Sequence, residues 1–199
     1  TPADQDIFFG RDMEIKELCH SVFSHKVSVV FGSSGAGKTS LVQCGLISRL
    51  KPEKVTLFAL RSALDPLAVL REDCLSNIGR DLADSDLFSL VKQTAHTLKK
   101  TMILLFDQFE EIFILQPFET RKNLALLFRQ IMHSELDIKI ILSIREEYFA
   151  QLLEFEKVVP DILAHRIWVR TSPVCRSRQS SLIPVGSVRS GSNPRCRPR

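Results

Sequence analysis

The chain has 199 residues, 44% of them apolar and 25% charged, an ordinary balance for a globular protein with room for one sizeable α/β domain. No apolar run approaches the roughly 18 residues of a membrane span, and the amino terminus lacks the charged, apolar and small-residue order of a secretory leader, so no membrane partner is expected. The net charge of +4 is local: residues 171–199 carry six arginines and no acid, leaving 21 bases against 23 acids in residues 1–170, so a nucleic-acid partner is not expected either.

Five cysteines (Cys19, Cys44, Cys74, Cys175 and Cys196) are odd in number and contain no Cys-x-x-Cys, which argues against a disulfide framework or zinc site and for the reducing cytoplasm. The five histidines are scattered likewise.

Residues 1–7 read as a loose lead-in, and a start at Thr1 rather than Met is expected of part of a longer protein. Phe8, Phe9, Gly10 and Arg11 form an apolar-to-glycine turn. Asp12 then caps a helix to about Ser24, with Ile15, Leu18 and Val22 at helical spacing. Val27 to Phe31 is a β-branched strand running into Gly32, Ser33, Ser34, Gly35, Ala36, Gly37, Lys38, Thr39 and Ser40, where a helix to about residue 50 begins.

Strand, glycine, four residues and Gly-Lys-Thr before a helix is the phosphate-loop pattern. Small residues let backbone N–H groups converge on phosphate oxygens, and the helix N-terminus adds free donors and a positive dipole end. In that pattern Lys38 reaches the β- and γ-phosphates and the Thr39 hydroxyl sits on Mg²⁺.

A second strand spans 55–60. Asp65 and Pro66 open a helix to about Ile78, and a polar break at 81–86 leads to a helix over about 87–99. Residues 101–106 are continuously apolar, as in a strand covered on both faces. A loop and a helix over 118–134 follow, then a strand over 138–144, a helix near 146–157 and a short strand from Arg166 to Val169. This alternation predicts a mainly parallel five-stranded sheet sandwiched by helices, with ligands at the carboxyl ends of the strands. The core is expected over 8–170. Residues 171–199, rich in Arg, Ser and Pro without acids or aromatics, are expected to be a disordered tail, biological or artificial.

The apolar strand through Phe106 delivers Asp107, the arrangement by which a carboxylate holds Mg²⁺ beside a phosphate loop. Just beyond lie Glu110 and Glu111, either of which can serve as base for water or merely cap the next helix. Arg145, at the end of another buried strand, can contact a γ-phosphate or form a rim salt bridge to Glu146 or Glu147.

These segments together (Phe-Gly-Arg-Asp-x-Glu-Ile, the phosphate loop, Asp-Gln-Phe-Glu-Glu-Ile-Phe and Ser-Ile-Arg-Glu-Glu-Tyr) resemble the STAND class of P-loop NTPases, in particular the novel STAND group with its Asp-Gln-Phe-Glu-Glu signature. The resemblance implies an ATP/ADP-binding signalling switch with slow Mg²⁺-dependent hydrolysis, turned on by ATP exchange and oligomerisation. Protein partners would come through sensor and effector domains or self-association. It also assigns Asp107 to the metal, Glu110 and Glu111 to the acidic pair, Arg145 to γ-phosphate sensing, and Phe9, Gly10 and Arg11 to the turn near the nucleotide base. Departures are Arg145-Glu146-Glu147-Tyr148 where Arg-Ala-Asp-Phe is usual, and an Arg/Ser/Pro stretch where helical lid and winged-helix segments normally continue. The alternatives are a non-hydrolysing nucleotide-binding or interaction fragment and a P-loop small-molecule kinase.

Overall fold

The computed structural model describes residues 11–61 and 65–170. The lead-in, the turn residues Phe9 and Gly10, and everything from residue 171 onward lie outside the described residues.

Helix α1 (Asp12–Ser24) precedes strand β1 (Val27–Gly32), as its spacing predicts. After the phosphate loop, α2 (Lys38–Ser40) continues through a π-helical stretch, Leu41–Leu46, and a 3-10 turn, Ile47–Arg49. Sequence spacing predicts one regular helix here. The turns are wider than that, with the Ile47 N–H shared between the Val42 and Gln43 carbonyls, yet Leu41, Val42, Gly45 and Leu46 form the buried face as helical spacing expects. Gly45 has a packing reason: a Cβ there would lie 2.9 Å from Cγ1 of Ile15, so its absence lets α1 approach α2 closely.

Strand β2 (Val55–Arg61), helix α3 (Pro66–Ile78), helix α4 (Leu87–Leu98) and strand β3 (Thr101–Asp107) follow within a residue of expectation. The cap of α3 is Asp65, whose carboxylate accepts from the N–H groups of Leu67 and Ala68, with Pro66 in the first turn. The cap of α4 is Asp86, accepting from the Ser89 N–H. The short helix α5 (Glu110–Leu115) occupies what reads in sequence as loop. Then come α6 (Phe118–His133), β4 (Ile138–Arg145), a 3-10 segment Glu146–Gln151, α7 (Leu152–Glu156) and β5 (Arg166–Trp168).

All five strands are parallel, in the order β2-β3-β4-β1-β5. Period-two alternation divides the inner strands between two cores. Ile103 and Leu105 of β3, with Val30 and Ile141, face α1 and α2. Met102, Leu104 and Phe106, with Val29, Ile140 and Leu142, face the helices on the other side. Residues 102–106 are therefore all buried, and their unbroken apolar run follows from having helices on both faces.

The second core is rich in aromatics: Phe109 makes edge-to-face contacts with Phe106, Phe113 and Phe155, at centroid distances of 5.9, 5.8 and 5.4 Å. This buried Phe109, whose N–H donates to the Ser143 carbonyl at 2.8 Å, fixes the turn between β3 and α5. The strand order sets β4 between β1 and β3. Three strand ends consequently meet at one place, and the register pairs Gly32 of β1 with Arg145 of β4.

Candidate functional site

At the carboxyl ends of β1, β3 and β4 a cavity of about 330 Å³ opens, lined by the phosphate-loop residues Ser34, Gly35, Gly37, Lys38, Thr39 and Ser40 and by Asp107, Gln108, Glu110, Ser143 and Arg145. It occupies the crevice where strand order reverses, since β1 is flanked by the late strands β4 and β5 while β2 lies at the far edge.

The loop takes its shape from glycine at two kinds of position. Gly35 and Gly37 have φ of 74° and 87°, the left-handed region that L side chains avoid. At Gly32 the constraint is space, because a Cβ would meet the Val169 carbonyl oxygen at 2.3 Å. Between them the Ala36 N–H donates to the Ser33 carbonyl at 3.1 Å, closing the turn, and Gly37 starts α2. Gly32, Ser33 and Ala36 thus fold the loop, while the remaining loop residues line the cavity.

Lys38 curls back over the loop, its Nζ donating to the carbonyls of Gly32 at 2.8 Å and Ser33 at 3.0 Å. Burial pushes its pKa below the ordinary lysine value; the Glu110 carboxylate opposes the shift, Arg145 adds to it, and Glu147 and Asp107 oppose it. An anionic ligand in the cavity would relieve that cost by adding negative charge beside the ammonium.

Thr39 Oγ1 donates to Asp107, at 3.1 Å from Oδ2 and 3.3 Å from Oδ1. One hydroxyl and one carboxylate converge from α2 and β3. This sparse all-oxygen donor set fits Mg²⁺, which keeps several waters and takes its other oxygens from a ligand's phosphates. It does not resemble a closed transition-metal site, and among the described residues no group of three or more His, Cys, Asp or Glu could hold a metal ion.

Glu110 is buried, and both its carboxylate oxygens are engaged by one residue. Oε1 pairs with Arg145 Nε at 2.9 Å, and Oε2 accepts from the Arg145 N–H at 3.2 Å. The partner of Arg145 is therefore Glu110, across the sheet, rather than either of the neighbouring glutamates that sequence proximity offers. Glu111 follows Glu110 on α5 but does not line the cavity; its N–H donates to the Gln108 carbonyl at 3.0 Å.

Arg11 reaches the loop from outside. Its Nη2 donates to the Ala36 carbonyl at 2.8 Å and to the Arg170 carbonyl at 3.3 Å, and Nη1 lies 3.1 Å from where a Gly37 Cβ would stand. The guanidinium thus binds loop backbone.

Two cavity residues escape sequence reasoning, Gln108 and Ser143. Ser143 carries a faint signal as the one polar residue between Ile140 and Ile144. Gln108 stands inside the Asp-Gln-Phe-Glu-Glu signature, but neither the residues nor the resemblance gave it a role.

Fold and loop together define a P-loop NTPase. The family model described as Novel STAND NTPase 1 matches residues 1–183, and the chain belongs to that family. Curated proteins yield no match. Among solved structures, a Walker-type ATPase of Pyrococcus abyssi is similar with a TM-score of 0.54 at 18% identity, covering 81% of this chain and 53% of its own. The ORC2 protein of Aeropyrum pernix, in ADPNP–ADP complexes, has a TM-score of 0.59 at 14% identity over 80% of this chain and 47% of its own. Drosophila ORC bound to AT-rich DNA and Cdc6 gives 0.50 at 14% identity, covering 92% and 68%. At such identities these likenesses concern the fold alone, and the chain spans about half the length of the first two.

Proposed function

We propose that this chain is the nucleotide-binding core of an ATP/ADP-dependent signalling switch, working within a larger multidomain protein and hydrolysing ATP slowly with Mg²⁺. The observation that carries this reading is the convergence of Lys38, the Thr39–Asp107 pair and Arg145 on one cavity beneath a glycine-shaped loop. Loop N–H groups and the start of α2 would cradle the α- and β-phosphates, Lys38 would exchange its two carbonyl partners for β- and γ-phosphate oxygens, and Thr39 and Asp107 would hold Mg²⁺, which supplies charge neutralisation between those phosphates. Arg145 would meet the γ-phosphate. Ser33, Ser34 and Ser40 would contribute loop backbone or hydroxyl contacts. Arg11 would brace the loop, with Phe9 and Gly10 completing the turn near the base.

Adenine as the base and the switch role rest on membership in the STAND family, and the ADPNP–ADP complexes of one structural neighbour agree with adenine. Another neighbour was solved on AT-rich DNA. For this chain the near-neutral balance of residues 1–170 favours protein partners over nucleic acid. No described helix is long and apolar enough to cross a membrane.

A second reading, a module that binds nucleotide without hydrolysing it, is favoured by the double engagement of Glu110, whose two oxygens are each already held by Arg145. A kinase reading finds less support: the other cavity described, lined by Glu53, Lys54, His96, Lys100 and Asp137 among others, lies at the opposite ends of the strands.

Thermal unfolding with Mg-ATP, Mg-ADP and Mg-GTP, beside Lys38→Ala, tests the reading. A ligand at a hundred times its dissociation constant stabilises by about 2.7 kcal/mol. Stabilisation by adenine nucleotides, absent in the variant, is expected. An unchanged midpoint with every nucleotide, in a cooperatively folded chain, would sink it.

A further inference from the structure

Resting on the nucleotide-binding reading above, we propose that Gln108 is the residue that positions the attacking water, and that neither Glu110 nor Glu111 acts as its base. The argument begins with the backbone. Gln108 has φ of 55°, one of three non-glycine residues among those described with positive φ. Its neighbours impose this. Asp107 is held by Thr39 on one side, and Phe109 is locked into the aromatic core with its N–H on the Ser143 carbonyl on the other. The Gln108 N–H donates to Asp107 Oδ1 at 3.1 Å, and its carbonyl accepts from Glu111.

Glycine or asparagine adopts that conformation at less cost than glutamine. A strained residue that lines the cavity, exposed and next to the proposed metal-site carboxylate, points to a demand on its side chain. The chemistry available to it is specific. Of the ionisable side chains lining the cavity, Lys38 and Arg145 are cations, Asp107 is taken by Thr39 and the proposed metal, and Glu110 has both oxygens on Arg145. Ser34 and Ser40 offer hydroxyls from the phosphate loop, and Gln108 is the exposed side chain beside Asp107 that offers both a donor and an acceptor. An amide accepts a hydrogen bond from water and orients its lone pair, but does not take its proton at neutral pH.

The step balances without a protein base. The water oxygen bonds to the γ-phosphorus as the bond to the β,γ-bridging oxygen breaks. ADP leaves with that electron pair, and both water protons depart on dihydrogen phosphate, which ionises in bulk. Orientation without proton removal accounts for slow turnover, as a timing function requires. Glu110 is then a positioning residue for Arg145, holding the guanidinium at the rim until a γ-phosphate competes for it.

The test is single-turnover phosphate release from Mg-ATP by the 199-residue chain and by Gln108→Glu and Gln108→Ala, across pH 6 to 9, with ATP-dependent thermal stabilisation measured in parallel. Gln108→Glu supplies the missing base. It is expected to raise the rate at least about tenfold at every pH of the series. Gln108→Ala is expected to lower the rate about tenfold or more with nucleotide stabilisation retained. Should alanine impair folding, Gln108→Gly suits the backbone better and is expected to show the same loss. Rates within twofold of the parent in both the glutamate and the alanine or glycine variants would overturn the proposal, as would a loss of rate that merely follows a loss of binding. Absence of any ATP-dependent shift in the parent chain would instead overturn the nucleotide-binding reading, and this one with it.

Discussion

Glu110 at the start of α5 and Arg145 at the end of β4 are joined twice, side chain to side chain at 2.9 Å and carboxylate to backbone N–H at 3.2 Å. The glutamate is 4% exposed and the arginine side chain about half exposed, at 46%. The pair is therefore asymmetric: losing the arginine strands a buried carboxylate, whereas losing the glutamate frees a cation that water can reach. Arg145→Ala is expected to destabilise the nucleotide-free chain by about 1–3 kcal/mol, and Glu110→Gln by less. The double variant should fall short of the sum, with a coupling of about 0.5–3 kcal/mol in a urea-unfolding cycle. Additive losses would show that the two residues do not depend on each other.

The two kinds of loop glycine separate experimentally. Gly32→Ala forces a Cβ against the Val169 carbonyl, 2.3 Å away, and neither backbone can yield without breaking the β1–β5 ladder. A loss of about 3 kcal/mol or more is expected. Gly35→Ala meets nothing within 4 Å and bears only its left-handed conformation, φ 74°, costing about 1–2 kcal/mol. Chemical denaturation ranks the two, and equal losses would contradict the steric account.

The proposed role of the Thr39–Asp107 pair in holding Mg²⁺ predicts a charge-specific effect. Asp107→Asn keeps an acceptor for the Thr39 hydroxyl, 3.1 Å away in the parent, so apo stability should change by no more than about 0.5 kcal/mol. The additional stabilisation that Mg²⁺ lends to ATP, read as the difference between Mg²⁺ and EDTA samples, should largely vanish.

At the opposite end of β1, His25 and His165 stack with ring centroids 3.2 Å apart and planes 9° from parallel. Desolvation lowers the His25 pKa first, followed by repulsion from His165, His20 and Lys139. A folded-state pKa below the unfolded value means the unfolded chain binds the proton more readily. Stability therefore rises with pH through the window between the lowered value and about 6.5, and is lost as acid is added across that window. His165→Gln should flatten that acid limb in a series of melts from pH 5 to 7.5. An unchanged slope would assign the limb to other groups.

What the sequence made legible was governed by local physics. The covered strand through Met102 and Phe106, the loop glycines and the helix start at Asp65 all follow from residues close in the chain, whereas Asp12, expected to cap α1, is its first helical residue and makes no cap. The helix Glu110–Leu115 hid because two acids and an exposed Ile-Leu pair break its apolar periodicity, leaving Phe109, Ile112 and Phe113 to anchor it. The π-helical stretch after the loop was hidden as well, being a response to α1 packing on Gly45. Strand order, and with it the meeting of Glu110 with Arg145, is set by pairing across the sheet that no spacing records. Most residues of the cavity were nameable in advance from β1, β3 and β4, Gln108 and Ser143 excepted, but which carboxylate faced which cation was not.

One contact outside the cavity has a mechanical consequence. Arg11 grips the phosphate loop at the Ala36 carbonyl and the strand leaving the core at the Arg170 carbonyl, while Gly32 presses against Val169 beside it. The first helix and the segment after the last strand are thereby fastened to the same few atoms of backbone. A loop that tightens around phosphate tugs on both at once, like a knuckle through which two tendons pass.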